Sequence, residues 1–182
     1  KIPVADFQHG AISDIHPAYG GFNKLPSKGF NILPDYFLLW DKYTKQSMHS
    51  WPNNSPHKPT VFGHPWVWYW QNEQPIKSNF NFDDKPSILY SLQPIDELVT
   101  KEEIKLIKKS QDQYNWILRL HPRQLHQKNE LLNLITQSNL KVYFEETQSR
   151  SLPEILKIIN IHVTRFSGTT TQAALYGIPT LL

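Results

Sequence analysis

From Ser87 onward, short apolar runs and amphipathic segments alternate without a break, and this alternation limits the possible folds more than any other feature. Ser87–Leu92 is an apolar run between Pro86 and Pro94, with the length of a buried strand. Thr100 and Glu103 have capping-box spacing ahead of a helix that runs through about Ser110. Trp116–Leu120 reads as the next strand. Asn129–Gln137 reads as a helix, with Leu131, Leu132, Leu134 and Ile135 on its apolar face. Lys141–Glu145 is a third strand. Ser151 and Glu154 form a second capping box, and the helix after it lines up Leu152, Ile155, Leu156 and Ile159. Ile161–Phe166 is a fourth strand, Thr170–Tyr176 a short helix closed by Gly177, and Pro179–Leu182 the start of a fifth strand. Strands and helices joined by short connections specify an α/β fold with a parallel sheet and right-handed crossovers. The expected strand order is 3-2-1-4-5, with ligand at the carboxyl ends, near the switch between the first and fourth strands.

The first half is less regular. Pro3–Phe7, Asp35–Trp40 and Thr60–Phe62 are candidate strands, and a loop rich in Gly, Pro, Asn and Ser occupies 11–34. The composition turns polar over 71–85, with Asp83 and Asp84 paired, as in an interdomain linker. The expected organisation is therefore a part-domain over 1–70, a linker over 71–85 and a second domain over 86–182. The chain opens at Lys1 in sequence that already reads as ordered, and it stops inside a strand. Both features suggest a piece of a longer protein, truncated at its C-terminus.

With 182 residues, the chain can form one generous domain or two small ones. Hydrophobic residues at 39% and charged residues at 19% give a globular composition. No apolar run approaches the roughly 18 residues of a membrane span. The net charge of +3 and pI near 9.0 suit a phosphate-bearing ligand, and they leave peripheral attachment to an anionic membrane open. No dense Lys/Arg block points to nucleic acid, and Lys101–Lys109 mixes signs as a solvated helix face does. The absence of cysteine excludes disulfides, zinc-thiolate sites and a cysteine nucleophile, and agrees with a cytoplasmic location.

Arg119-Leu-His-Pro-Arg123 follows the second strand of the regular half, where a parallel sheet places its ligand. Arg119, His121 and Arg123 can hold a phosphate, and an imidazolium there would stabilise charge growing on a leaving nucleotide. The alternative is that His121 only caps the following helix while Arg119 pairs with Glu145 or Glu146. Phe166-Ser-Gly-Thr-Thr-Thr-Gln172 follows the fourth strand. Here Gly168 would allow a tight turn, Ser167, Thr169, Thr170 and Thr171 would supply hydroxyls, and the helix start would supply free N–H groups. A plain N-cap is the alternative. Gln8-His9-Gly10 could project an imidazole into a cleft, with His16 and Tyr19 close behind. Strand alternation in His64–Trp70 would put Trp66, Trp68 and Trp70 on one face, as a sugar-stacking platform or a hydrophobic seam. The sequence has no Gly-rich dinucleotide fingerprint, Lys-bearing phosphate loop or Asp-X-Asp, and His spacing suggests no metal site. A mechanism without metal or cofactor is the expectation.

The His-Pro pair at 121–122, together with Phe166-Ser-Gly-Thr and Gln172-Ala-Ala-Leu-Tyr-Gly-Ile-Pro179, resembles the donor domain of GT-B glycosyltransferases and their UDP-N-acetylglucosamine 2-epimerase relatives. Gln8-His9-Gly10, Pro34–Trp40 and Val61–Pro65 are similar to bacterial capsule and surface-polysaccharide transferases, some of which use CMP-sugars or CDP-polyols. The resemblance implies two Rossmann-like domains: 1–70 would be the last part of the acceptor-side one and 86–182 the donor-side one. It implies a nucleotide-sugar donor (CMP/CDP or UDP), a glycan acceptor, and a place at the inner face of the cytoplasmic membrane or in the cytoplasm. Arg119, His121, Ser167 and Thr169 would bind donor phosphate, and His9 would be the general base toward an acceptor hydroxyl. Gln172 stands where many relatives carry a ribose-binding Glu. An epimerase would instead want carboxylates in the cleft, for which Glu145 and Glu146 are the candidates, and a non-catalytic binding domain would keep only the fold.

Overall fold

The computed structural model describes residues 2–16, 19–20, 26–48, 55–72, 82–144 and 149–182. The chain divides into two compact units, Lys1–Gln71 and Asn72–Leu182.

The second unit runs β4 (Ser87–Ser91), α3 (Lys101–Ser110), β5 (Asn115–Arg119), a 3-10 turn (Pro122–Gln127), α4 (Lys128–Gln137), β6 (Val142–Tyr143), α5 (Leu152–Leu156), β7 (Ile161–Val163), α6 (Thr169–Leu175) and β8 (Thr180–Leu181). All the strand pairs are parallel, and the order β6-β5-β4-β7-β8 is the expected 3-2-1-4-5. All five residues of β4 are buried, as suits a central strand covered on both faces. Alternate residues serve opposite cores. Ile88, Tyr90, Trp116 and Leu118 pack with Ile107 of α3 and Leu131 of α4. Leu89 and Ile117 pack with Ile155 and Leu156 of α5 and Ala173 of α6. Fully burying each of the Leu and Ile side chains contributes about 1.5–3 kcal/mol.

Local chemistry sets the helix ends. Thr100 with Glu103, and Ser151 with Glu154, make complete capping boxes. Helix α6 closes on Gly177 at φ +72, with Gly177 N–H donating to Ala174 O and Ile178 N–H to Ala173 O. This is a Schellman ending, which needs a left-handed residue. Residues 83–85 belong to this unit, since the Asn115 amide donates to the Asp83 and Lys85 carbonyls at 2.8 and 3.0 Å. Much of the expected linker, 73–81, lies outside the described residues.

The first unit runs β1 (Ala5–Phe7), β2 (Tyr36–Leu39), α1 (Lys42–Ser47), β3 (Lys58–Val61) and α2 (Pro65–Asn72). Its parallel sheet has the order β1-β2-β3, with Tyr19, Phe37, Leu39 and Met48 as its core. Strand β3 lies nearer the N-terminus than the apolar Thr60–Phe62 suggested, and it includes Pro59. An edge position tolerates a residue without an N–H. The expected strand over His64–Trp70 is a helix instead. Pro65 is acceptable in a first helical turn, and His64 Nδ1 accepts the Val67 N–H at 3.3 Å. Helical spacing replaces the single Trp face. Trp66 and Trp70 meet edge-on, with centroids 5.6 Å apart, while Trp68 is 66% exposed.

Candidate functional site

Parallel strands place their carboxyl ends on one edge of the sheet, so the loops after β5 and β7 leave that edge on either side of β4. Leu92 N–H donates to Arg119 O at 2.8 Å and extends the β4–β5 pairing to the rim. The residues singled out after β5 and β7 thus share the edge where an open α/β sheet binds ligands.

Arg119 ends β5 and is partly buried. Burial lowers its pKa, while the charge of Glu154 on α5 works in the opposite direction. Glu145 and Glu146, its candidate partners in sequence, lie outside the described residues. His121 does cap the turn that follows, its Nδ1 accepting Arg123 N–H at 3.1 Å. That bond places the ring proton of the neutral tautomer on Nε2. Burial, then the nearby Arg123 charge, lower its pKa. Both effects work against the imidazolium expected from sequence. Arg123 is exposed beside it.

The loop after β7 departs from expectation in two ways. Gly168 has φ −61 and ψ −14, open to any residue, and a Cβ there would meet nothing within 4 Å. The turn it opens, closed by Thr170 N–H onto Ser167 O, therefore does not depend on glycine. The first N–H groups of α6 are also already engaged. Thr169 N–H donates to Ser167 Oγ at 3.2 Å, Thr170 N–H to Ser167 O at 3.2 Å, and Thr171 N–H to Gly168 O at 3.2 Å. The Thr170 hydroxyl donates to Ser167 O at 2.8 Å. Ser167 Oγ accepts from Thr169 and keeps its own proton for another partner. Gln172 is partly buried, and its Oε1 has no hydrogen-bond partner.

Beneath this edge lies a polar layer that the sequence reading did not single out. His162, fully buried in β7, faces three hydroxyls. Its Nδ1 is 3.1 Å from Thr180 Oγ1, and its Nε2 is 3.0 Å from Ser91 Oγ and 3.2 Å from Thr169 Oγ1. Thr164 donates to Ser91 O at 3.0 Å, and the buried Gln93 amide donates to Thr164 Oγ1 at 3.2 Å. Burial lowers the His162 pKa to about 4. On the other face, Arg165 forms a bidentate pair with Glu103 of α3, at 2.8 and 2.6 Å, and Nη1 donates to Glu97 O at 2.9 Å. Tyr90 donates to the same carboxylate at 2.5 Å. Burial pushes the Glu103 carboxyl up, but Arg165, Tyr90 and the Thr100 N–H outweigh it and hold it at about 2. The available signal was polar residues alternating through Ile161-His-Val-Thr, where a buried strand would otherwise be apolar.

In the first unit, His9 follows β1 and is exposed. Gln8 before it is buried and fixes the rim, its Oε1 accepting Trp40 N–H at 2.8 Å and its Nε2 donating to Gly10 O at 2.9 Å. Tyr19 does not line a cleft beside His9. It is buried against Phe37, with His16 tilted on its ring and its hydroxyl donating to Asp6. Among the described residues, no group of three or more His, Asp or Glu side chains could hold a metal ion, and no helix is long and apolar enough to cross a membrane.

Two parallel sheets, one of them doubly covered in the order 3-2-1-4-5, define a Rossmann-like α/β fold of the GT-B kind. A solved structure of the wall teichoic acid polymerase TagF, a His-to-Asn variant soaked with CDPG, is similar over 80% of this chain. The TM-score is 0.54 and the identity 19%, a likeness of fold. This chain spans 37% of the TagF chain. No family model matches the chain, and no curated protein matches it.

Proposed function

We propose that the second unit binds the donor of a glycosyltransferase, which moves a sugar or polyol phosphate from a nucleotide to a surface-polysaccharide acceptor. One observation carries this reading: the donor groups of Arg119, His121, Arg123 and Ser167 leave the same sheet edge, with Glu154 as the acidic charge that bears on Arg119. Such a set suits a phosphate or pyrophosphate. The TagF structure was soaked with CDPG, which puts CDP-linked donors first among the candidates.

In the reaction, the acceptor oxygen bonds to the transferred group as the bond to the nucleotide's phosphate oxygen breaks. Arg119 and the His121 Nε2–H meet the charge that grows on the leaving phosphate. Gln172 is the candidate for a ribose hydroxyl, which an amide can hold without a carboxylate's charge. His9 takes the acceptor's proton. On this reading the transfer needs no metal, and EDTA should leave it unchanged. The acceptor class, capsule-type role and work at the inner membrane face are part of this proposal.

Calorimetric titration with CMP, CDP, UDP and GDP tests the reading. Preference for CMP or CDP supports it, and preference for UDP moves it toward an epimerase-like or UDP-sugar enzyme. Failure to bind any of the four reduces the unit to a fold without a donor site.

A further inference from the structure

We infer that His162 is the positioning residue of the donor-phosphate loop, locking the first residue of α6 onto the sheet through the Thr169 hydroxyl. This rests on the donor-site reading above, but its structural half can be tested without a nucleotide.

A buried imidazole in a strand of a parallel sheet replaces an apolar side chain and costs stability unless its nitrogens are satisfied. His162 is fully buried, and both nitrogens are engaged by hydroxyls from three separate elements: Ser91 at the end of β4, Thr180 in β8 and Thr169 at the start of α6. The Ser91 and Thr180 contacts link strands already joined through β7 by the backbone ladder. The Thr169 contact is different, since it ties a loop to the sheet. Thr169 N–H is bonded to Ser167 Oγ, and the Thr170 N–H and hydroxyl are bonded to Ser167 O. The imidazole therefore sets where Ser167 stands through Thr169. On the opposite face, Arg165 anchors the same segment to Glu103 and the Glu97 carbonyl. Two anchors from opposite faces leave the segment between them little freedom. That is the requirement for holding donors within about 0.5 Å of their productive positions around a phosphate.

The imidazole's two nitrogens allow the roles to be separated. Asn at 162 carries a polar atom near the Nδ1 position and can keep the Thr180 contact alone. Gln reaches the Nε2 position and can keep Ser91 and Thr169. His162→Leu removes every polar contact. The experiment compares the three variants with wild type by amide hydrogen exchange of 167–171 in the free protein and by calorimetry with CDP. His162→Asn and His162→Leu should speed exchange at Thr169–Thr171 about tenfold and weaken CDP about tenfold, the equivalent of one lost hydrogen bond. His162→Gln should stay within about threefold of wild type in both measurements. Thr169→Val should match His162→Asn in the exchange of Thr169–Thr171, and the double variant should be no worse there than His162→Asn, because both remove the His162–Thr169 link. If exchange in this segment is unchanged in His162→Asn, or if Asn and Gln behave alike, the inference is overturned whatever the nucleotide does. If wild type binds no nucleotide while the exchange contrast holds, the donor-site reading fails and His162 remains the anchor of α6.

Discussion

The two units use the same parallel strand geometry, yet differ in how completely they cover it. In the second unit β4 is buried along its whole length, and helices pack on both faces of its sheet. In the first, β3 is exposed at three of four positions, and Phe7 and Phe62 meet edge-on while each stays more than half exposed. The larger core can carry a layer of buried hydroxyls and an imidazole at its carboxyl edge, since apolar packing on both faces holds the strands. The smaller unit keeps its buried polar contacts closer to the main chain, as Gln8 and His57 do. The buried polar layer thus goes with the doubly covered sheet.

The sharpest way to break this comparison is to truncate one strand residue in each unit. Leu118→Ala should cost about 2–5 kcal/mol and lower the second unit's unfolding midpoint in denaturant. Val61→Ala, on the exposed β3, should stay within about 0.5 kcal/mol. Comparable losses would show that the first unit is as tightly packed as the second.

Acid provides the next test. The folded His162 pKa is about 4, below the ordinary 6.5, so between these values the unfolded chain binds more protons. Stability from this group is full above pH 6.5 and falls as pH drops toward 4, by on the order of 3 kcal/mol. Glu103, held at about 2 against an ordinary 4.5, adds a further loss as pH falls from 4.5 toward 2. Thermal melts from pH 7 to 3 should fall in these two windows, and His162→Gln should flatten only the upper one.

For the donor reading, His121→Ala should weaken CDP binding about tenfold, the value of one hydrogen bond to an anion, while His9→Ala leaves it near wild type. Equal losses would count against placing the phosphate after β5. The smallest contrast lies in the caps. Thr100→Ala breaks a two-way capping box and Asp41→Ala a single bond to Thr44 N–H at 2.7 Å. Each should cost about 1 kcal/mol, with Thr100 the larger because Glu103 also holds Arg165.

Much of the second unit was legible because its signals are local. Capping boxes at Thr100 and Ser151, Gly177 after α6 and apolar runs of strand length each need only a few neighbouring residues. The Trp-rich segment misled because Trp66, Trp68 and Trp70 fit a two-residue period by spacing alone. The stronger cue was His64-Pro65, a helix start. Gly168 does mark a turn, but its angles are open to any residue, since glycine adopts ordinary helical angles as freely as unusual ones. His162 and Arg165 were passed over because their partners lie far along the chain, and a single polar residue in a strand does not announce what it will meet.

By itself the chain's order of residues determined the strand-helix alternation, the helix ends and the parallel arrangement, because these follow from periodicity, capping and chirality over short stretches. Tertiary structure alone decided that Ser91, His162, Thr169 and Thr180 would share one buried cluster and that Arg165 would close on Glu103. The reason is physical. A buried polar group is tolerated only when distant segments bring partners to it, and that convergence exists only after the sheet has formed.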